Sequence, residues 1–468
     1  MAGPGEGDEF DLQMSDADAL MWTVEKDPTL RSTVVTVLTF DRSPDWDALV
    51  ERVDRGSRLI PRLRQRVVTP PLRVGPPCWS ADPNFDLSYH LRRVRAPEPG
   101  SFECVLDLAR NAAMAGFDRA RPLWEYTVVD GLAGGRSAFV IKVHHSMTDG
   151  VGGMKLLMML FDLEREPDAP GPTDELHDLP AFTPFALVGR SVDYQRRRVW
   201  DIVQHAVANT VNAARSVTRD PEAALQEAGR VTRSLASFLA PATTPRSPII
   251  GARSLGRRLA AFDIPLDDLK RAAKSVGGSL NDAFLASVVG GIQRYHEQHG
   301  VEPSELRMVM PINLRGEGAA LGGNHFTPAR FLVPLQIADP EDRMRALGQL
   351  ARHVRDEPAV TLTDALALVL NQLPSRMTTA FFGAMLKGSD FVTSNVPGSP
   401  FPLYVAGAEL ERMYPFGPLS GTAANLTLLS HCGTCCIGIN TDAVAIPDAP
   451  EFARAVEAGF AEVLALGA

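Results

Sequence analysis

The chain has 468 residues, enough for two to four domains at ~100–200 residues each. Lys plus Arg number 47 and Asp plus Glu 56, so the net charge is −9. That balance argues against a general nucleic-acid binder, which needs a basic face to neutralise phosphates. Five cysteines, few and odd in number, exclude a disulfide scaffold and fit a reducing cytosol.

From the N-terminus, the first stretch (MAGPGEGDEFDLQMSDADAL) holds six acids and no base, which does not make a signal or transit peptide. Ser32–Phe40 is β-branched and bounded by polar residues, and Glu125–Val129 and Ala138–His145 read as strands in the same way. Asp45–Leu59 and Phe102–Ala115 carry helical spacing, and a helix is expected over Met154–Leu163. Glu166–Pro184 is too rich in proline for a helix or central strand and reads as a surface linker. Val188–Leu239 has long helical periodicity. Between Arg190 and Arg258 stand 12 Arg against 5 Asp/Glu, a basic island in an acidic protein. It is read as a solvated helix face bridging two halves, or as a surface that docks on anionic lipid headgroups or acidic cofactors.

After a second proline cluster at Pro241–Pro248 the alternation resumes. Leu259–Ile264 and Leu306–Met310 are expected strands, with helices over Leu266–Ser275 and Asn281–His299. Leu426–Leu429 and Cys436–Ile439 read as two strands around a turn at Gly433, with buried cysteines. Alternation of this kind implies a layered α/β architecture. Neither Met154–Phe161 nor Ala283–Ile292, the most apolar runs, is long enough to span a bilayer. A soluble protein, at most peripheral to a membrane, is expected.

Several motifs fail. None of the six lysines follows a glycine, so there is no phosphate-binding P-loop. Gly150-Val-Gly152 lacks the third glycine of a dinucleotide loop, its place being taken by Lys155. There is no G-x-S-x-G. His296-Glu-Gln-His299 is one residue short of zinc-protease spacing and reads as solvated surface. Cys432-Gly-Thr-Cys435 has no second Cys/His pair at zinc-site spacing. No metal is expected.

The strongest signal is the segment from Ala138 to Gly153, with His144-His145-Ser-Met-Thr-Asp149-Gly150 at its centre. Alternation along a strand puts Phe139, Ile141, Val143 and His145 on one face and Val140, Lys142 and His144 on the other. His145 then ends the strand on a buried wall while His144 points away, so the two do not share a metal. An imidazole with an ordinary pKa of ~6.5 can take a proton near neutrality. Asp149 can orient it or brace the loop, and Gly150, Gly152 and Gly153 let the backbone turn tightly. Two hydrogen-bonded histidines closing a strand is the plainer alternative.

His144–Gly150 matches the HHxxxDG motif of acyl-CoA-dependent acyltransferases. Within that superfamily the chain resembles the bacterial wax ester synthase/diacylglycerol acyltransferase family, from about Asp11 to Leu466. Phe117-Asp-Arg-Ala-Arg-Pro122-Leu-Trp124 resembles its PLW segment and Ser279-Leu-Asn281-Asp282 its ND motif. Met310-Pro-Ile-Asn-Leu-Arg315, Gly323-Asn324, Ser394-Asn-Val-Pro-Gly398 and the tail Cys436–Pro447 correspond as well. Each has a plainer reading. Trp124 can be a buried indole at a strand start, Ser279 and Asp282 a helix-capping pair, and Ser394–Gly398 a turn. The sequence departs from the family at Ser399, where proline is usual, and over Pro28–Ser32.

The resemblance implies an α/β fold of two chloramphenicol-acetyltransferase-like (condensation-domain-like) sandwich halves joined by a helical crossover. Residues 1–185 form the first half, 186–250 the Arg-rich crossover and 251–468 the second half. It implies transfer of a long-chain acyl group from acyl-CoA, a co-substrate and not a bound cofactor, to diacylglycerol or a long-chain alcohol. His145 would be general base with Asp149 beside it. His144, Gly150, Asn281, Pro122 and Trp124 would bind substrate or support the site. Asn281 and Ser146 are candidates for stabilising the oxyanion, and Arg315 for pairing with Asp149. The expected location is the cytoplasm, extending to a membrane or lipid-droplet surface. A polar or specialised alcohol acceptor, or a non-catalytic lipid-binding role, stands as the alternative.

Overall fold

The computed structural model describes residues 12–71, 75–167, 179–194, 196, 200, 229, 244–313, 326–356, 370–371 and 373–467. Most of the Arg-rich crossover, part of the first proline-rich linker, Arg315 and Gly323-Asn324 lie outside the described residues.

The N-terminal segment runs α1 (Asp16–Val24), β1 (Thr33–Phe40), α2 (Trp46–Leu59), a small hairpin of β2 (Gln65–Val68) and β3 (Cys78–Ala81), β4 (Leu91–Arg95), α3 (Phe102–Met114), β5 (Trp124–Asp130), β6 (Ser137–His144) and α4 (Gly150–Met158). The β-branched run at Thr33–Phe40 explains β1, and both of its faces are covered. Val35 and Val37 pack with Val105 and Ala109 of α3, while Leu38 and Phe40 face the opposite core with Phe139 of β6. The Lys142 face of β6 is therefore also buried, with Val140 and Lys142 each 3% exposed.

The C-terminal segment gives β7 (Arg257–Pro265), α5 (Leu266–Ser275), α6 (Leu280–Gln298), β8 (Glu305–Asn313), β9 (Phe326–Pro334), α7 (Pro340–Arg355), α8 (Ser375–Leu386) and β10 (Phe391–Val396). It ends with β11 (Tyr404–Val405), β12 (Ala408–Phe416), β13 (Ala424–His431), β14 (Thr434–Asp442) and α9 (Ala449–Leu464). From Ala283 to Ile292 α6 is nearly apolar all round because it is buried all round there. Its Gly291 lies so close to α9 that a Cβ would stand 2.4 Å from Val456 Cα.

Two six-stranded mixed sheets result, in the orders β11-β12-β1-β6-β5-β4 and β7-β14-β13-β10-β8-β9. The segments interlock. β12, from the C-terminal segment, pairs antiparallel with β1, with Val37 opposite Tyr414, and so covers what would otherwise be an open strand edge. The sheets approach backbone to backbone at Gly438, where a Cβ would stand 1.8 Å from Pro415 O.

Four local expectations are corrected. The helix after the motif starts at Gly150 and ends at Met158, not over Met154–Leu163, because Asp149 caps it and the glycines fall inside. β6 stops at His144, and His145 opens a 3₁₀ turn. His296 is buried, not solvated, and bonds Ser247 Oγ at 2.7 Å and Ile292 O at 2.7 Å. Cys435 and Cys436 are buried, but Cys432 sits exposed in the β13–β14 turn.

Candidate active site

The His144–Gly150 loop is anchored at both ends by backbone. His144 N–H donates to Leu123 O at 3.0 Å, and His145 N–H to Ser32 O at 2.8 Å. At the far end Asp149 Oδ1 accepts the Gly152 N–H at 2.7 Å, closing the first turn of α4. Asp149 is 7% exposed, so its carboxylate is held in place by the helix it starts.

His144 is fully buried. Its Nδ1 accepts the Ser146 N–H at 3.0 Å and lies 2.7 Å from Ser146 Oγ, so the ring proton is assigned to Nε2. Nε2 stands 2.9 Å from Glu25 Oε1. Trp22 and Phe117 meet the ring edge-on at 5.8 and 5.9 Å. Burial works to raise the Glu25 carboxyl, but His144, the Ser32 N–H and Arg119 together outweigh it and hold the group below the usual range.

His145 is half-buried and lines a cavity of about 390 Å³, within the range of small-molecule sites at ~300–1,000 Å³. Alternate residues of both sheets form its walls. Val34 and Thr36 of β1 and Ile141 and Val143 of β6 face Val309 of β8, Val392, Ser394 and Val396 of β10, and Thr427 of β13. Leu20 and Val24 of α1 line it together with Phe382 and Leu386 of α8, as do Ile60, Leu63, Leu157 and Leu160. The lining is mostly apolar. Burial raises the Tyr126 phenol far above its ordinary value, keeping it neutral.

His144, His145, Asp149 and Gly150 thus come together at one wall. Asn281, Pro122 and Trp124 do not line the cavity. Asn281 lies in the first turn of α6, where Ser279 and Asp282 form a reciprocal capping box. Trp124 is buried, with its indole N–H donating to Leu63 O at 2.7 Å and its ring stacked on His90 at 4.5 Å. The PLW segment reaches the site through Phe117 instead. Ser146 Oγ is engaged at His144 Nδ1. Ser394–Gly398, a family-like segment with a turn as its plainer reading, starts within β10, and the end of that strand brings Ser394, Asn395 and Val396 to the cavity.

Sequence reasoning missed Glu25, one acid among many in an acidic stretch, with no spacing to mark it. It also missed the role of β10, where alternation at Val392, Ser394 and Val396 carried a signal. Among the described residues, His299, Asp448 and Glu451 place ligand atoms within 4.8 Å of one another. They lie outside the cavity lining and already bond among themselves and to Tyr295.

Residues 14–284 match the wax ester synthase/diacylglycerol acyltransferase catalytic domain, and residues 322–463 match the C-terminal domain of the same family. A Mycobacterium tuberculosis protein whose name assigns it diacylglycerol O-acyltransferase activity is 39% identical over 100% of this chain and 94% of its own. A second protein of that species, similarly named, is 30% identical over 97% of each chain. Among solved structures, the wax ester synthase/diacylglycerol acyltransferase from Marinobacter aquaeolei shares the fold at a TM-score of 0.61 and 20% identity, covering 97% of this chain and 100% of that one. The first condensation domain of the calcium-dependent antibiotic synthetase also has a TM-score of 0.61, at 14% identity and 97% and 96% coverage. The chain belongs to the wax ester synthase/diacylglycerol acyltransferase family.

Proposed function

We propose that the protein is an acyl-CoA-dependent O-acyltransferase that moves a long-chain acyl group onto diacylglycerol, a long-chain alcohol, or both. The observation that carries this reading is the position of His145. A half-buried imidazole stands on the wall of a cavity built from both sheets, and the mostly apolar lining of that cavity suits lipid chains better than a wholly hydrophilic acceptor.

In this reading His145 takes the acceptor hydroxyl proton as its oxygen attacks the thioester carbonyl. The new C–O bond forms, the C–S bond breaks, and the imidazolium returns the proton to the departing CoA thiolate. Such proton transfer is worth ~10²–10⁴-fold in rate. Asp149 braces the loop from the head of α4, and His144 supports it from behind. Binding both substrates against one wall supplies the proximity contribution. Among the described residues no helix is long and apolar enough to cross a membrane. We therefore read any contact with a membrane or lipid droplet as peripheral, with the Arg-rich crossover as its candidate surface.

Labelled palmitoyl-CoA offered with a panel of diacylglycerol, hexadecanol and polar alcohols tests the function. Transfer to the lipid acceptors by wild type, lost in a folded His145→Ala variant, is the expected result. Full activity in that variant, or transfer only to polar alcohols, overturns the corresponding part of the proposal.

A further inference from the structure

Behind His145 the structure holds a closed circuit that the motif does not contain. Glu25, the residue after α1, places one carboxylate oxygen, Oε1, within 2.6 Å of the Ser32 N–H and 2.9 Å of His144 Nε2. Ser32 turns its carbonyl to the His145 N–H at 2.8 Å. His144 and His145 are consecutive, so the path returns to its start. The Glu25 side chain is only 10% exposed, and its second oxygen lies 3.5 Å from the Arg119 guanidinium, which itself covers the Trp22 ring at 4.0 Å.

We infer that Glu25 is a positioning residue for His145. Two effects combine. By facing Nε2, the carboxylate favours the tautomer that leaves His144 Nδ1 free to accept the Ser146 N–H, and that bond closes the 3₁₀ turn on which His145 sits. By accepting the Ser32 N–H, it fixes the residue whose carbonyl holds the His145 backbone. Glu25 thereby sets both the turn and its anchor from one atom. Its depressed carboxyl pKa agrees with a group that stays ionised at neutrality. Without it, the Ser32 N–H loses its acceptor, His144 Nε2 loses the carboxylate that faces it, and the His145 imidazole loses its fixed aim at the cavity. The inference rests on the reading of His145 as general base.

Side-chain replacements at Glu25 separate positioning from mere structure. Glu25→Gln keeps an oxygen where Oε1 stands and retains kcat within about threefold. Glu25→Ala lowers kcat on the order of 10- to 100-fold, the scale of a small misplacement of a reacting group. KM for palmitoyl-CoA stays unchanged, because the apolar lining is untouched. Should the alanine variant not fold, Glu25→Asp serves, since one methylene less cannot serve both Ser32 and His144; a fall in kcat is expected there too. In a His145→Ala background, Glu25→Ala costs nothing further.

Wild-type kcat in folded Glu25→Ala or Glu25→Asp overturns the inference. So does an equal, multiplicative loss in the His145→Ala background, or a loss carried wholly by KM. Failure of the general-base reading shows differently, as full activity in His145→Ala alone.

Discussion

Gly150 lies directly beneath Val396: a Cβ on the glycine would stand 2.9 Å from Val396 Cγ2. One residue belongs to the histidine loop and the other to the end of β10, so this contact joins the two segments at the cavity. Valine is stiff about χ1 and cannot swing its methyl away. Gly150→Ala is therefore expected to cost about 1–3 kcal/mol of stability and to lower kcat by shifting the loop. Val396→Ala in the same chain makes room for the new methyl. Thermal unfolding and kcat of the two single variants and the double variant decide it. A double variant no better than Gly150→Ala alone shows that crowding at Val396 is not the cause.

Asp149 offers a second dissection. Its Oδ1 accepts the Gly152 N–H, a bond an asparagine oxygen can also accept. Asp149→Ala should lose about 0.5–2 kcal/mol from the missing cap, with Asp149→Asn recovering most of it. If activity falls in the asparagine variant while the melting temperature does not, the charge matters beyond capping. Equal melting temperatures for the alanine variant and wild type would falsify the capping role.

The indole of Trp124 supports the fold from outside the cavity. Trp124→Phe removes the bond to Leu63 O and should cost about 0.5–1.5 kcal/mol, leaving KM and kcat near wild type. Phe117→Ala, by contrast, strips an edge contact from His144 and should reduce kcat. Kinetics of the two purified variants test this contrast. A Trp124→Phe enzyme with a large change in KM would return the PLW segment to the substrate.

Three buried histidines set an acid limit. Desolvation lowers the pKa of His90, His296 and His431 below the ordinary 6.5, only partly offset by carbonyl partners of each ring. Burial biases each of the three toward its neutral form in the fold. Above pH 6.5 neither state binds the extra protons, so these groups leave stability unchanged. As pH falls below 6.5, the unfolded chain takes up protons that the folded one refuses, and stability drops by up to about 1.4 kcal/mol per pH unit for each group. Denaturant unfolding between pH 8 and pH 5 should show a plateau and then a decline starting near 6.5. A flat profile down to pH 5 contradicts it.

Much of the fold was legible because its signals are local. The β-branched run of β1, the alternation in β6 and the Ser279–Asp282 capping pair each fix their own element through neighbours two to four residues away. The HHxxxDG spacing likewise put His145 and Asp149 on one loop and named the family. What the sequence could not carry were the relationships between distant segments. Nothing in Ala408–Phe416 marks it as the strand that borders β1, since any exposed edge offers the same backbone donors and acceptors. Glu25 is indistinguishable from its acidic neighbours until burial beside His144 makes its charge matter. Asn281 looked available for substrate until the packing of α6 placed it away from the cavity. Short-range patterning chose the elements and the chemistry; only the tertiary structure decided which walls enclose His145 and which carboxylate stands behind it, because those depend on burial and on contacts between residues far apart in the chain.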